Sequence, residues 1–141
     1  MTPEHIKACQ QAKEEGWLVW KPAVGDWCLY ETYPHLIIRI QPEGLILIRD
    51  NGMLLDGWAL VDNCTWLPAE GQLSKMLQEA CLRCSCCWEP GDFAERKRDS
   101  KAGKWWVSGF VDRKENYDIH VGDVDLPLAL LKAVAVVRRK F

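Results

Sequence analysis

The chain of 141 residues lacks the sequence signatures by which most enzymes are recognised. It has no glycine-rich phosphate loop, no nucleophile motif and no His-x-x-x-His or His-Glu metalloenzyme pattern. The only three histidines are far apart in the sequence, at His5, His35 and His120. Three aspartates near the last of them could form a hydrolytic or metal cluster, but they are more simply explained as helix-cap and turn residues: Asp118, Asp123 and Asp125. We therefore predict a non-enzymatic protein without catalytic residues and without a cofactor.

Long apolar runs are also missing, so no segment of the sequence is expected to cross a membrane. The first residues do not combine a basic region with an apolar stretch, which excludes a secretory signal peptide at this position. The seven cysteines are an odd number, and four of them lie within residues 81–87. This pattern is typical of free thiols or metal ligands in a reducing compartment, not of a disulfide framework. We predict a cytoplasmic protein that does not contact membrane.

Charge of one sign is not in excess either, because the formal net charge is −2. This value gives no general attraction to nucleic acid or to anionic lipid. Tryptophan, by contrast, is abundant: there are eight, against three phenylalanines and three tyrosines. An indole combines a large apolar area with one N–H donor, and it is common in cores and at interfaces.

The first half of the sequence predicts a helix followed by an antiparallel β-meander. Thr2 can cap a helix that has Pro3 in its first turn, an apolar stripe at Ile6, Cys9 and Ala12, and a stop at Gly16. Short apolar runs then alternate with turns, and strands are expected at 17–20, 27–30, 36–41, 45–48, 53–55 and 58–61. Leu36, Ile38 and Ile40 alternate with Ile37, Arg39 and Gln41, which is the period of a half-buried strand. The strongest hairpin signal is at residues 50–52, Asp-Asn-Gly.

The second half predicts a helix, a β-hairpin and a buried helix. Six apolar residues fall on one helical face between Pro68 and about Cys86, namely Leu73, Met76, Leu77, Ala80, Cys81 and Cys84. Strands at 104–111 and 117–121 form the hairpin. The last helix, 128–137, is apolar nearly all round and is therefore expected to be buried. We predict an α+β fold with one module at 1–67 and a second, α-β-β-α module at 68–141, packed as one compact unit.

Parts of the sequence resemble known proteins. The turn pattern of the first half resembles the opening of small β-barrels of the Src-homology type. The segment 66–77, with Trp-Leu-Pro, Gln-Leu and Met-Leu pairs, resembles small uncharacterised bacteriophage and prophage proteins. Residues 104–133 are similar to the end of the phage ABA sandwich domain, in which a hairpin precedes a helix that opens with Pro-Leu-Ala. This resemblance implies an accessory protein in a bacterial host cell, and it brings no catalytic residues.

The cysteine cluster has the spacing of a metal site. Cys81-x-x-Cys84 and Cys84-x-x-Cys87 overlap, with Cys86 between them, whereas a tetrahedral zinc site usually takes two such pairs from separate elements. No second pair exists, and the other potential ligands are scattered: His5, Cys9, Cys28, His35, Cys64 and His120. Cysteines on the apolar face of a helix are usually packing residues. A position at the helix C-terminus also disfavours a reactive thiol. A metal site is therefore only the second alternative function.

The single charge-dense segment lies beside two adjacent tryptophans. Five basic residues could hold phosphates there: Arg96, Lys97, Arg98, Lys101 and Lys104. Trp105 and Trp106 point to opposite faces of a strand, so one indole is expected at the surface unless both faces are covered. Glu95 and Asp99 interrupt the basic segment, which favours a solvated loop. We predict binding to an unidentified protein partner as the function, with single-stranded nucleic acid as the first alternative.

Overall fold

The structure, a computed structural model, describes residues 2–81, 83–89, 103–111 and 118–140. It confirms the α+β fold with an N-terminal helix, an antiparallel meander and a C-terminal helix. The elements are α1 (Pro3–Glu15), β1 (Trp27–Tyr30), β2 (Tyr33–Gln41), β3 (Gly44–Arg49), β4 (Cys64–Trp66), α2 (Glu70–Ala80), β5 (Arg83–Glu89), β6 (Lys104–Phe110), β7 (Ile119–Asp123) and α3 (Leu126–Lys140). The chain divides into two compact units, Met1–Ala69 and Glu70–Phe141. None of the helices in the described residues has the length and apolar character to cross a membrane.

Helix α1 begins and ends as its sequence predicts. The hydroxyl of Thr2 accepts a hydrogen bond from the backbone N–H of His5 at 3.2 Å, and Gly16 ends the helix in the left-handed conformation with φ of 79°. The buried side chains are His5, Cys9 and Ala12, whereas Ile6 is only half-buried. These three positions are spaced by four and three residues, so they form one stripe. The buried stripe of α1 thus begins at the polar residue His5, one position before the predicted Ile6.

The first unit contains a four-stranded antiparallel sheet in the order β3-β2-β1-β4. One face of the sheet forms the core, with the buried residues Cys28, Ile37, Leu45, Leu47, Ala59 and Cys64. On β2 the buried residue is Ile37, whereas Ile38 and Ile40 are 41% and 45% exposed. A β-bulge between Ile37 and Arg39 shifts the register with β3 at this point. The alternation in the sequence allows either face of β2 to be buried. Ile37 lies on the buried face because it pairs with Leu47, which is itself buried.

Three of the predicted strands, 17–20, 53–55 and 58–61, are not formed. Residues 17–20 have no strand, and residues 53–61 follow β3 only through two isolated bridges, Ile48 to Leu54 and Leu45 to Ala59. A turn at Gly57, with φ of 83°, interrupts the pairing between the bridges. We call residues 53–61 the edge segment, because its backbone covers the outer edge of β3.

The two edges of this sheet are covered by different means. On the β3 side, Leu45 and Ala59 exchange backbone hydrogen bonds at 2.8 and 2.9 Å. On the β4 side, the ammonium of Lys13 in α1 donates to the carbonyl oxygens of Asp62 and Cys64 at 2.6 and 2.7 Å. Both sides of the sheet thus have partners for backbone groups that could otherwise pair with another chain.

The second unit contains a three-stranded antiparallel sheet in the order β5-β6-β7. Leu77 of α2 and Leu130 of α3 line one small cavity together with Cys84, Cys86 and Val107 of the sheet. We call this side the helix-covered face. The strand register places Cys87, Trp106 and Gly122 together, and Ser85, Ser108 and His120 together, on the opposite side, which we call the outer face.

The predicted helix through Cys86 is wrong beyond Ala80. Helix α2 ends there, and β5 begins three residues later and pairs with β6 at all seven of its positions. The second unit is therefore α-β-β-β-α, not α-β-β-α. Cys84, Cys86 and Trp88 alternate along β5, and Cys84 also happens to fit the helical period of the preceding residues. Cysteine and tryptophan are poor helix formers, and tryptophan favours strands.

Candidate interaction surfaces

The edge segment exposes more large apolar side chains than any other short stretch of the described residues. Met53, Leu54, Trp58 and Leu60 are between 54% and 61% exposed, and Val61 is also exposed. Exposed apolar residues scattered singly are ordinary, but a contiguous group of this kind marks an interaction surface. Sequence reasoning missed it because this stretch was predicted as two strands, which would have buried alternate side chains.

A close approach of two backbone segments fixes the edge segment beside the turn from β2 to β3. A Cβ atom on Gly44 would lie 2.5 Å from the carbonyl oxygen of Ala59 and 2.9 Å from the Trp58 ring. Only glycine fits there without movement of the backbone. Ile40, opposite Leu45 in the register, is also exposed, at 45%.

The two predicted binding tryptophans are both half-buried, each on a different face. Trp105 lies on the helix-covered face against Trp88, with ring centres 5.2 Å apart. Trp106 stacks on His120 at 4.6 Å, and its indole N–H donates to Glu89. The indole that is most exposed in this unit is Trp88, at 45%, which the sequence analysis did not single out.

The Trp106 ring also lies close to Gly122 of β7. A Cβ atom on Gly122 would lie 2.9 Å from atoms of the Trp106 ring. The ring therefore packs against both His120 and the backbone at Gly122. An indole packed in this way is not a ready platform on which a base could stack.

Most of the predicted basic group is outside the described residues, namely Arg96, Lys97, Arg98 and Lys101. Lys104 is described, and it is exposed at the start of β6 opposite Glu89. The carboxylate of Glu89 offsets the charge that Lys104 could offer to a phosphate. The described residues thus bring no cluster of cations together with the tryptophans.

Ser108 and His120 form a hydrogen-bonded pair that sequence reasoning missed. They lie directly opposite each other on β6 and β7, with Oγ and Nδ1 2.9 Å apart. If the two predicted hairpin strands are aligned with Val107 opposite Val121, Ser108 falls opposite His120. The correct register would therefore have revealed the pair. A serine next to an imidazole can be the beginning of a nucleophile and base pair, and here the hydrogen bond joins side chains of neighbouring strands. The arrangement links two strands.

The aspartates near His120 serve local structure. Asp118 accepts a hydrogen bond from the backbone N–H of Val111 at 2.8 Å. Asp123 forms an ion pair with Lys132 at 2.6 Å and also accepts from the N–H of Asp125. Burial alone would raise the pKa of Asp123, but these hydrogen bonds and the charge of Lys132 lower it. The carboxylates stabilise the turns on either side of β7.

The cysteine cluster does not converge. Cys84 and Cys86 lie on the helix-covered face, whereas Cys87 lies on the outer face and Cys81 precedes the strand. Burial, assisted by neighbouring thiols, raises the pKa of Cys81 and of Cys86. Within the described parts of the chain, no three His, Cys, Asp or Glu side chains are grouped so that they could hold a metal ion. The Cys-x-x-Cys spacing in the sequence therefore does not bring these four thiols together in the described structure.

Two other cysteines, distant in sequence, are adjacent in the core of the first unit. The thiol of Cys64 donates to the carbonyl oxygen of Leu60 at 3.4 Å and is itself hydrogen-bonded to Cys28. The bond from Cys28 and the charge of Lys13 lower the pKa of Cys64, against the effect of burial. The same bond, with burial, raises the pKa of Cys28. Cys28 therefore keeps its proton and serves as the donor.

A larger cavity of about 340 Å³ in the first unit involves Trp27, Pro34, Asp50 and Leu67. Its described lining is mainly apolar and contains a single carboxylate. This set of side chains does not form a nucleophile and base pair.

Comparison with known protein families, with curated proteins and with solved structures finds no match. The candidate surfaces are therefore judged from the chemistry of their own residues.

Proposed function

We propose that this chain is a non-enzymatic accessory protein of a phage or prophage, and that it acts by binding a protein partner through the edge segment. The observation that carries the proposal is the exposure of four large apolar side chains within eight residues, Met53, Leu54, Trp58 and Leu60. Burial of apolar surface contributes about 25 cal/mol per Å², so such a group is a natural source of binding free energy. The phage origin depends on the resemblance of segments 66–77 and 104–133.

The composition of the edge segment favours a protein over the other ligand classes. Residues 53–61 contain one charged side chain, Asp56, and no lysine or arginine. Such a surface would repel phosphates, whereas tryptophan and methionine are enriched at protein interfaces. We expect the partner to present an apolar groove with a cation near Asp56.

The test uses the full chain as bait in extracts of its natural host, followed by affinity measurement with the purified partner. The variant L54S/L60S removes two apolar side chains that are 61% and 55% exposed. We expect it to weaken binding by about tenfold or more, as loss of anchoring residues does. The matched control is V19S/V24S, because both valines are also more than 60% exposed but lie outside the segment. Equal binding by wild type and L54S/L60S would exclude the edge segment as the interface.

The alternative is single-stranded nucleic acid bound by the basic segment. We expect no gel shift with an oligonucleotide at low salt, because Trp105 and Trp106 are both packed against other rings and the net charge is negative. A salt-sensitive shift that disappears when Arg96, Lys97 and Arg98 are replaced by alanine would assign the function to nucleic-acid binding instead.

A further inference from the structure

Strand β5 is an edge strand of the second sheet, and its outer side has no pairing strand among the described residues. Six of its seven residues are exposed, and only Cys84 is half-buried. The unpaired backbone groups of such an edge are a template for another strand. The first unit covers both of its sheet edges, by the edge segment and by Lys13, but β5 has no comparable cover in the described structure.

The sequence of β5 also lacks the residues that usually prevent edge pairing. Lysine, proline and inward-pointing charge are the common protective devices. Residues 84–88, Cys-Ser-Cys-Cys-Trp, contain none of these. The only charges are at the two ends of the strand, Arg83 and Glu89, and they have opposite signs.

This arrangement makes β5 complementary to itself in one antiparallel register. With Cys86 on a twofold axis, Arg83 of one copy lies opposite Glu89 of the other, twice. Cys84 then lies opposite Trp88, and Ser85 opposite Cys87. Opposite charges directly across a strand pair stabilise it. A register shifted by one residue leaves one end of each strand unpaired and separates the charges.

A cavity beside the strand fits the same register. It has a volume of about 140 Å³, is open to solvent, and is lined by Leu77, Val107 and Leu130 together with Cys84 and Cys86. Trp88 lies on this same helix-covered face and is 45% exposed. In the twofold register the second copy's Trp88 is brought opposite Cys84, next to the cavity. The exposed indole would thus cover a depression whose lining combines apolar side chains with Ser74, Gln78 and Ser85.

We propose that two copies of this chain associate by antiparallel pairing of β5 with β5 around Cys86, which joins two three-stranded sheets into one of six strands. This inference concerns a different surface from the edge segment and does not depend on the proposed function. Such isologous, twofold contacts are the commonest kind in homo-oligomers.

The charge pattern allows a decisive test by sedimentation velocity under reducing conditions, over a range of concentrations. Wild type is expected to dimerise. In either R83E or E89R, two like-charged pairs face each other in the homodimer, and we expect dimerisation to weaken by roughly tenfold or more. An equimolar mixture of the two variants restores both opposite-charge pairs, so it should dimerise with about the wild-type affinity. No other register makes the mixture rescue two defective variants.

The variants need a folding control, because Glu89 also accepts the indole N–H of Trp106. Circular dichroism and thermal unfolding should show that R83E and E89R are folded as monomers. If E89R fails to fold, R83E alone carries the test, and it must be monomeric at concentrations where wild type dimerises. A wild-type protein that stays monomeric at all concentrations, or an R83E variant that dimerises like wild type, would overturn the proposal.

Cross-linking with diamide tests the axis. Directly opposite residues in an antiparallel pair have Cα atoms about 4.5–5.5 Å apart, within the span of a disulfide. Two Cys86 thiols would form one S–S bond, while diamide takes up the two protons and two electrons. We expect a covalent dimer in wild type and in C87S, and none in C86S. A dimer lost in C87S but kept in C86S would contradict the twofold axis at Cys86.

Discussion

At the scale of single residues, the buried thiols of the first unit are packing groups whose protonation is coupled to folding. Cys9, Cys28 and Cys64 are at most 1% exposed. Free cysteine behaves as a small apolar residue in such positions. Cys64 differs from the other two because Lys13 and Cys28 favour its ionised form.

Cys9 gives a prediction for the pH dependence of stability. Burial raises the pKa of its thiol from 9.0 to about 12, so the folded state keeps a proton that the unfolded state loses. The stabilisation is complete below about pH 9 and is lost as the pH rises toward 12. Between these values wild type should lose up to about 1.4 kcal/mol per pH unit more than C9A. Urea unfolding at several pH values measures this difference, with C87A as the control at an exposed thiol. Parallel curves for wild type and C9A would contradict it.

At the scale of elements, the turn between β2 and β3 depends on Gly44. In G44A the new methyl group would meet the backbone of Ala59, and the edge segment would have to move away from β3. We expect a loss of about 1–3 kcal/mol in the free energy of unfolding, as for other overpacked sites. The control is G71A in α2, where the added Cβ meets no atom within 4 Å. That substitution should stabilise the protein by about 0.5–1 kcal/mol. Chemical denaturation compares the two, and equal effects would refute the packing argument.

The elements that the sequence predicts well are those with local chemical signals. Thr2, Pro3 and Gly16 define α1 because capping and left-handed backbone are properties of individual residues. The first part of β5, as far as Cys86, is predicted as helix because helical spacing and strand alternation coincide at Cys84. The decision between them depends on pairing with β6, where Cys84 lies opposite Gly109. Contacts of this range have no local signal.

The candidate surface could not be predicted for a related reason. Residues 53–61 have the composition that is typical of strands, and a strand in a sheet would bury every second side chain. The turn at Gly57 limits them to two bridges with β3, so their apolar side chains stay exposed. Trp105 and Trp106 were correctly assigned to opposite faces, but their cover by Trp88 and His120 comes from neighbouring strands.

At the scale of the whole molecule, the edge segment belongs to the first unit and β5 to the second, and the two proposed interactions should be separable. L54S/L60S should lose the protein partner but dimerise like wild type. R83E should become monomeric, while each monomer retains its intrinsic affinity for the partner. Sedimentation velocity and calorimetric titration of both variants measure the two properties. A single variant that loses both, while remaining folded, would show that one surface serves both interactions.

The open edge of β5 also determines how far assembly can proceed. A contact between two different edges leaves one edge free on each side and can grow into a fibre. Pairing of β5 with β5 uses the same edge of both copies, so the complex is closed once two chains have met. The first unit covers both edges of its own sheet, by the edge segment and by Lys13. Association through β5 therefore occupies the β5 edges of both chains and stops at the dimer.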